Sequence, residues 1–375
     1  MNILFLTKHE LTWGSSKERI GNFLPYLVQK HKVHHLYVIP NKISRFWIGE
    51  KKSVSYLYFK MLSFFHHRIM RYVKFIQILK KAHLYDLIVI QKVTLPGFFL
   101  KMLQMKNNHL IFDVDDYCFI PQHLSFFKRL HMRWQLYQSP QVLKYYKHLI
   151  MGNPTLKKQI EGSHSENNIT ILPTSIDTRL FHPTKERRVH KLTIGWIGSG
   201  ENHLKHLKLL RKPFETLGHH YPFQFVLIGC MGSIKIKEMF QSKIYSCRVI
   251  DWLPSAELAK EIQHFDIGVM PLVNDEVARS KCGFKALTYM ASGVATLVSP
   301  VGINTDIIRD GQNGFLASNE TEWFQKLILL IQNPQLRHTL GAEGRKTVQE
   351  KFSLENNANI FLQLLEKVGK ADCNR

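Results

Sequence analysis

The sequence predicts an α/β protein with two doubly wound parallel sheets in tandem, and three observations carry that expectation. Short apolar strands alternate with helical stretches in both halves of the chain. The alternation restarts at Leu192–Ile197, after a segment bracketed by Pro173 and Pro183. Small polar or glycine-rich corners, Gly14-Ser15-Ser16, Gly198-Ser199-Gly200 and Gly293, stand where strands meet helices. At 375 residues and 45% apolar content, the chain has the size of two ordinary domains and the composition of a folded globular protein.

The first half opens with the strand Ile3–Thr7, the loop Gly14–Ser16 and a helix whose Ile20, Phe23, Leu24 and Leu27 share one face. Leu36–Ile39, Leu87–Gln91 and Leu110–Val114 are further strands, the last running into Asp115 and Asp116 at a strand end, where open sheets carry chemistry. The basic, aromatic stretch Tyr117–Tyr146 reads as helical at its centre, and Leu149–Gly152 and Ile169–Leu172 resume the sheet. This gives a first domain over 1–172 and a linker over 173–183, centred on Thr174–His182.

In the second half, Leu192–Ile197 leads through Gly198-Ser199-Gly200 to a helix Asn202–Leu217. Phe223–Gly229, Cys247–Trp252, Ile267–Met270, Val294–Val298 and Phe315–Ala317 follow as strands, and Phe352–Val368 is a terminal helix. The expected second domain is 184–351, with 352–375 packing back toward the first. Two such sheets are expected to meet at a cleft lined by strand C-terminal ends, where ligands bind in this architecture.

Charge is unevenly spread. Residues 1–175 hold 25 Lys and Arg against 9 Asp and Glu, whereas residues 176–375 hold 26 against 20. A basic first half points to an anionic partner. No nucleic-acid reader motif accompanies it, so an anionic membrane surface is the better candidate and no nucleic acid is expected. From Tyr58 to Lys81, Tyr58, Leu62, Phe65, Ile69, Tyr72, Ile76 and Leu79 recur at helical spacing, with Lys60, His67, Arg71, Lys74 and Lys81 opposite. The same periodicity fits a core-facing helix with a solvated basic face. Five cysteines, Cys118, Cys230, Cys247, Cys282 and Cys373, form no C-x-x-C pair, and no histidine spacing suggests a metal site. The expected location is cytoplasmic, peripheral on the inner face of the cell membrane. The N-terminus reads as a strand, not a signal peptide, and no apolar run reaches membrane-spanning length.

The most informative stretch is Arg279–Gly302, RSKCGFKALTYMASGVATLVSPVG. Ser280 reads as the cap of a helix whose first turn holds Lys281, Gly283 and Lys285, and Gly293 ends that helix before the strand Val294–Val298. Free N–H groups at Gly283 and Phe284, the positive end of the helix dipole and two lysines converge where a phosphate would sit. An ordinary amphipathic helix with solvated lysines is the alternative.

The blocks LTIGWIGSGENHLKHL, FDIGVMPL, SKCGFKALTYMASGVATLVSPVG, DGQNGFLA and GAEGRKTVQEKFS resemble, in order, the C-terminal half of the retaining glycosyltransferases of family 4, which have the GT-B fold. ILPTSIDTRLFHP is similar to the interdomain linker of that family, and Gly14-Ser15-Ser16 with Arg19 and LIFDVDDY is a weaker N-terminal match. Residues 40–105 and 118–148 are unmatched.

The resemblance implies a nucleoside-diphosphate sugar, UDP- or GDP-linked, held by the C-terminal domain. It also implies a glycan or lipid-linked acceptor on the N-terminal side, and transfer with retention and without a metal or other cofactor. Lys281 and Lys285 would neutralise the leaving diphosphate, with Ser199, Gly200, Gly283, Phe284, Trp252 and Thr288 around the donor and Gly14, Ser15 and Ser16 on the acceptor side. Two family glutamates are replaced by Ser280 and Thr288, although Thr288 retains a hydroxyl for a ribose. Asp115 stands where the family has a histidine facing the sugar. With Asp116 it is a candidate for binding a sugar hydroxyl or receiving the acceptor proton; capping a following helix is the other reading. Loss of the glutamates also fits a non-catalytic subunit that recruits a partner or membrane. A Rossmann-type oxidoreductase would need a third glycine in the G-x-G-x-x-G spacing, where Asn202 and His203 stand instead.

Overall fold

The structure, a computed structural model, describes residues 1–12, 14–39, 69–70, 72–118, 140–161, 165–184, 191–199, 203–230 and 233–370. The chain forms two compact units. One is built from the described residues up to Ser175 together with the helix Leu354–Gly369, and the other from the described residues of Ile176–Ser353.

In the first unit, β1 (Asn2–His9), β2 (Lys32–Ile39), β3 (Leu87–Gln91), β4 (Leu110–Val114), β5 (His148–Met151) and β6 (Ile169–Ile171) form one sheet in the order β2-β1-β3-β4-β5-β6. The recorded pairings are all parallel. Strand period fixes two cores: Leu4, Leu6, Ile88, Phe112 and Leu149 face one side, and Ile3, Phe5, Val89, Ile111 and Ile150 face the other. The second face is closed by Leu354–Gly369, whose Phe361 ring lies 5.0 Å from Phe23. Chain direction across the sheet reverses between β1 and β3, a topological switch point.

In the second unit, β7 (Thr193–Ile197), β8 (Gln224–Ile228), β9 (Ser246–Ile250), β10 (Ile267–Met270), β11 (Ala295–Val298) and β12 (Phe315–Leu316) run in the order β12-β11-β10-β7-β8-β9. This is the doubly wound 3-2-1-4-5-6 arrangement, with its switch point between β7 and β10. Glycines let the helices close on the sheet: a Cβ on Gly268 would come 2.4 Å from the Tyr289 ring.

Several expectations change. Gly14–Ser16 is not a loop but the opening turn of the helix Gly14–Arg19, with Gly14 at φ +52°. Residues 176–183, expected as linker, belong to the second unit: the Ile176 amide donates to the Phe352 carbonyl at 2.9 Å, and Phe181 is buried. The helix Leu204–Gly218 starts later than expected and accommodates Pro213 inside it. β9 stops at Ile250 and leaves Trp252 beyond it.

Within the Tyr58–Lys81 stretch, Tyr58, Lys60, Leu62, Phe65, His67 and Arg71 lie outside the described residues. Residues 72–81 are helical, and their core face is Phe75 and Ile78, followed by Ala82. Of the described members of the apolar stripe, Ile69, Tyr72 and Ile76 lie outward, 60%, 37% and 48% exposed, while Leu79 packs against the core. Most of Tyr117–Tyr146 also lies outside the described residues; Pro140–Tyr145 is a 3-10 turn. Among the described residues no helix is long and apolar enough to cross a membrane.

Candidate functional site

The second unit gathers its polar chemistry at the β7/β10 switch point. β7 delivers Gly198 and Ser199 at its C-terminal end, and His203 precedes the helix Leu204–Gly218. From the other side comes the helix Phe284–Ala291, capped by Gly283 in the left-handed region at φ +71°. A Cβ there would stand 2.6 Å from Ile307 Cδ1, so glycine serves both the turn and the close packing. Lys285, in the first helical turn, projects back across β7. Its Nζ lies 3.3 Å from His203 Nε2 and 5.7 Å from the centre of the Trp196 ring.

Hydrogen-bond roles follow from what each partner can do. His203 Nδ1 is 3.2 Å from the Ser199 carbonyl, which only accepts, so Nδ1 carries the proton and Nε2 presents a lone pair to the Lys285 ammonium. Burial first, then the charges of Lys285 and Lys281, push the His203 pKa down to about 2, which keeps the ring neutral. One turn on, His206 Nδ1 accepts the Val273 amide at 2.9 Å. Burial and then Lys281 lower its pKa to about 4. Two lysines therefore face two neutral imidazoles at a helix N-terminus, an arrangement that attracts an anion.

Sequence reasoning placed Lys281 and Lys285 here but missed His203, His206 and Trp196. Their available signal was the i, i+3 histidine pair directly after the β7 loop. Ser280 does not cap the lysine-bearing helix. It ends the preceding helix Glu276–Arg279, and its hydroxyl donates to the Glu276 carbonyl at 3.0 Å. Lys281 and Gly283 thus precede the helix rather than lie in its first turn. Thr288 is fully buried and its Oγ1 bonds the Phe284 and Lys285 carbonyls at 3.0 and 2.8 Å, so it offers no hydroxyl to a ribose. Phe284 is packed against the core while its amide stays among the opening N–H groups of the helix. Trp252 is 39% exposed past β9, separated from β7 in the sheet by β8. Gly200 lies outside the described residues. Among the described residues no three His, Cys, Asp or Glu converge to hold a metal ion.

The first unit has its own polar cluster at the β1/β3 switch point. Ser16 Oγ donates to Gln91 Oε1 at 3.0 Å and accepts the His9 amide at 3.2 Å. Lys92, just past β3, takes a left-handed φ of +54°, an uncommon conformation for a side-chain-bearing residue. Its Nζ lies 3.3 Å from Asp115 Oδ1 and 3.6 Å from Asp116 Oδ2. Burial raises the Asp115 pKa, but Lys92, Arg19 and a hydrogen bond from Ser15 outweigh it and hold the carboxyl below its ordinary value. Asp115 is buried, ionised and well satisfied, which makes it a poor proton acceptor. Asp116 has the accessible carboxylate, its side chain 38% exposed, and its Oδ1 accepts its own chain's Tyr117 amide at 2.8 Å.

Comparison with known proteins follows the same geometry. Residues 191–333 match the family described as Glycosyl transferases group 1. A glycosyltransferase of Methanocaldococcus jannaschii is 39% identical over 75 residues, 20% of this chain and 21% of that protein. The chain spans only 16% to 21% of the length of the curated relatives it matches. Sucrose-phosphate synthase from Thermosynechococcus elongatus superposes with a TM-score of 0.71 at 15% identity, covering 99% of this chain and 100% of that one. HepE of Anabaena in complex with UDP gives 0.66 at 13% identity, covering 98% and 100%. The chain has the two-domain α/β fold of the GT-B glycosyltransferases, and the family match falls on its second unit, within residues 191–333.

Proposed function

We propose that the protein is a retaining glycosyltransferase that moves a sugar from a UDP- or GDP-linked donor to a glycan or lipid-linked acceptor at a membrane surface. The observation that carries this reading is the convergence of Lys281 and Lys285 with a glycine-capped helix N-terminus at the β7/β10 switch point. As the glycosidic bond breaks, charge develops on the leaving diphosphate. Two ammonium groups and the opening amides of the helix stabilise it there, in a role that a divalent metal fills elsewhere. The structural neighbour HepE was crystallised with UDP-glucose, which supports a uridine-linked donor.

Membrane association is supported by the outer face of the first unit. Ile69, Ile76, Phe98 and Met105 are exposed, and the Tyr72 and Phe98 rings lie tilted against Phe99, at 5.3 and 5.1 Å. Lys74, Lys80, Lys81, Lys101 and Lys106 accompany them in the same two helical stretches. Apolar groups flanked by lysines suit an anionic leaflet.

A second reading rests on the side chains of Ser280 and Thr288, both turned onto their own backbone where the family carries carboxylates. It is a nucleotide-binding, non-catalytic subunit. One experiment separates the two. The purified chain is incubated with UDP- and GDP-sugars and an acceptor extract, with and without chelator, and free nucleoside diphosphate and product anomeric configuration are scored. Release with one donor, unchanged by chelator and giving a retained anomer, is expected. Binding without release supports the non-catalytic subunit, and no binding of any nucleotide sugar ends both readings.

A further inference from the structure

We propose that His203 is a positioning residue for the donor diphosphate, a neutral acceptor that fixes the Lys285 ammonium without cancelling its charge. The inference rests on Lys285 as a diphosphate ligand. Lysine has four rotatable side-chain bonds and loses more conformational freedom on ordering than most residues. In this structure His203 Nε2 lies 3.3 Å from the Lys285 ammonium and the centre of the Trp196 ring 5.7 Å from it. Trp196 and His203 in turn brace each other edge to face at 5.4 Å, and the Ser199 carbonyl fixes the His203 tautomer. Ordering the cation before the ligand arrives lowers the entropy lost on binding.

The chemical type of the holding group matters as much as its position. A carboxylate at this spot would hold Lys285 more firmly, but it would pair with the charge the diphosphate needs and repel the incoming phosphates. A protonated imidazole would repel Lys285 itself. A neutral imidazole with its lone pair on Nε2 avoids both effects. A neutral partner takes one N–H of the ammonium and none of its charge.

Titration calorimetry of the full chain with UDP, GDP and inorganic pyrophosphate tests this, with folding of each variant checked by thermal melting. Pyrophosphate makes the test independent of the base. His203→Leu is expected to weaken binding by about 5- to 10-fold, the range of one lost hydrogen bond, and His203→Gln, which keeps a neutral acceptor, by no more than about 2-fold. His203→Glu is the decisive variant: it keeps Lys285 anchored and the fold intact, yet is expected to bind more weakly than His203→Leu. On a Lys285→Ala background, His203→Leu should cost nothing further. His203→Phe, which keeps the ring against Trp196, replaces His203→Leu if that variant fails to fold. Binding by His203→Glu at parental strength, or full additivity with Lys285→Ala, overturns the role of His203 alone. Parental binding by Lys285→Ala overturns the diphosphate site itself, and this inference with it.

Discussion

Arg19 grips Asp113 with a forked ion pair inside the first unit, Nε donating to Oδ2 at 3.2 Å and Nη2 to Oδ1, while Nη1 donates to the Leu172 carbonyl at 2.6 Å. Both side chains are 1% exposed. The pair ties the first helix to β4 and to the chain leaving β6, so its role is architectural although it lies beside Asp115. Breaking one side leaves a buried charge alone, which costs about 3–5 kcal/mol, whereas replacing both with apolar groups of similar volume is often close to neutral. Arg19→Met and Asp113→Leu are each expected to lose stability of that order in chemical denaturation, and the double variant to regain most of it. Single losses below about 1 kcal/mol would show that the pair is slack.

The two imidazoles of the second unit set a pH dependence. Both have native pKa values below the ordinary 6.5, His203 at about 2 and His206 at about 4. Between those values and 6.5 the unfolded chain binds protons that the native chain does not, so stability falls as pH drops and is fully present above pH ~6.5. From pH 7.5 to 5 the two together should cost on the order of 2–4 kcal/mol. A His203→Gln, His206→Gln variant should flatten the slope of denaturation free energy against pH in this window. An unchanged slope would mean that the rings are not held neutral by the fold.

The architecture was legible because parallel strands buried on both faces leave continuous apolar runs, and β3, β4, β7, β10 and β11 stand out as such. The site was legible in part. Lys281, Gly283 and Lys285 announce an anion site by spacing, but serine is also a favoured helix start, and Ser280 hid the short helix that Asp275 caps. His203 was one of twenty histidines until the β7/β10 adjacency put it against Lys285. The Tyr58–Lys81 stripe was legible as a period, with the face that packs left open. Phe75 and Ile78 recur at the same 3–4 spacing as Ile69, Tyr72 and Ile76, and periodicity finds both faces without saying which one packs.

Lys281 and Lys285 should matter more for ligand than for fold. Both are only half-buried, and truncating such a lysine usually shifts stability by no more than about 0.5 kcal/mol. A lost charge-assisted hydrogen bond to phosphate is worth roughly 1.5–3 kcal/mol, so kcat/KM for the nucleotide sugar should fall about 10- to 150-fold for each alanine substitution. A fall in kcat indicates action in the transition state, and a rise in KM alone indicates uniform binding. A Lys281→Ala, Lys285→Ala double variant that turns over like the parent would place the donor elsewhere.

Membrane docking is tested by sedimentation with phosphatidylglycerol and phosphatidylcholine vesicles. Each lysine near an anionic leaflet contributes about 1 kcal/mol, so Lys74→Gln with Lys81→Gln should weaken binding to the anionic vesicles roughly 25-fold at low salt. Ile76→Gln with Phe98→Gln removes exposed apolar groups without touching the core and should weaken it too. Equal binding to both lipids, or none to either, would remove the membrane from the proposal.

Gly198 supplies the last prediction, because it links stability and ligand at one atom. The residue ends β7 with its amide donating to the Ile228 carbonyl at 2.9 Å, and its bare Cα lets two side chains close over the strand end. An added Cβ would stand 2.4 Å from the Trp196 ring and 3.0 Å from Lys285 Cε. Trp196 is fully buried and cannot retreat, so the flexible lysine stem is the part that yields. Overpacking of this kind costs about 1–3 kcal/mol, and a unit of this size should lose roughly 2–4 °C in Tm for each kcal/mol. Gly198→Ala is therefore expected to melt several degrees lower and, with Lys285 displaced from His203, to bind UDP or pyrophosphate several-fold more weakly even at temperatures where it is fully folded. Gly218→Ala, which clashes with Ile244 at the end of the helix Leu204–Gly218 remote from His203, controls for destabilisation alone and should leave ligand affinity unchanged while folded. Parental affinity in Gly198→Ala would mean that the lysine pose beside β7 is not the one that meets the ligand.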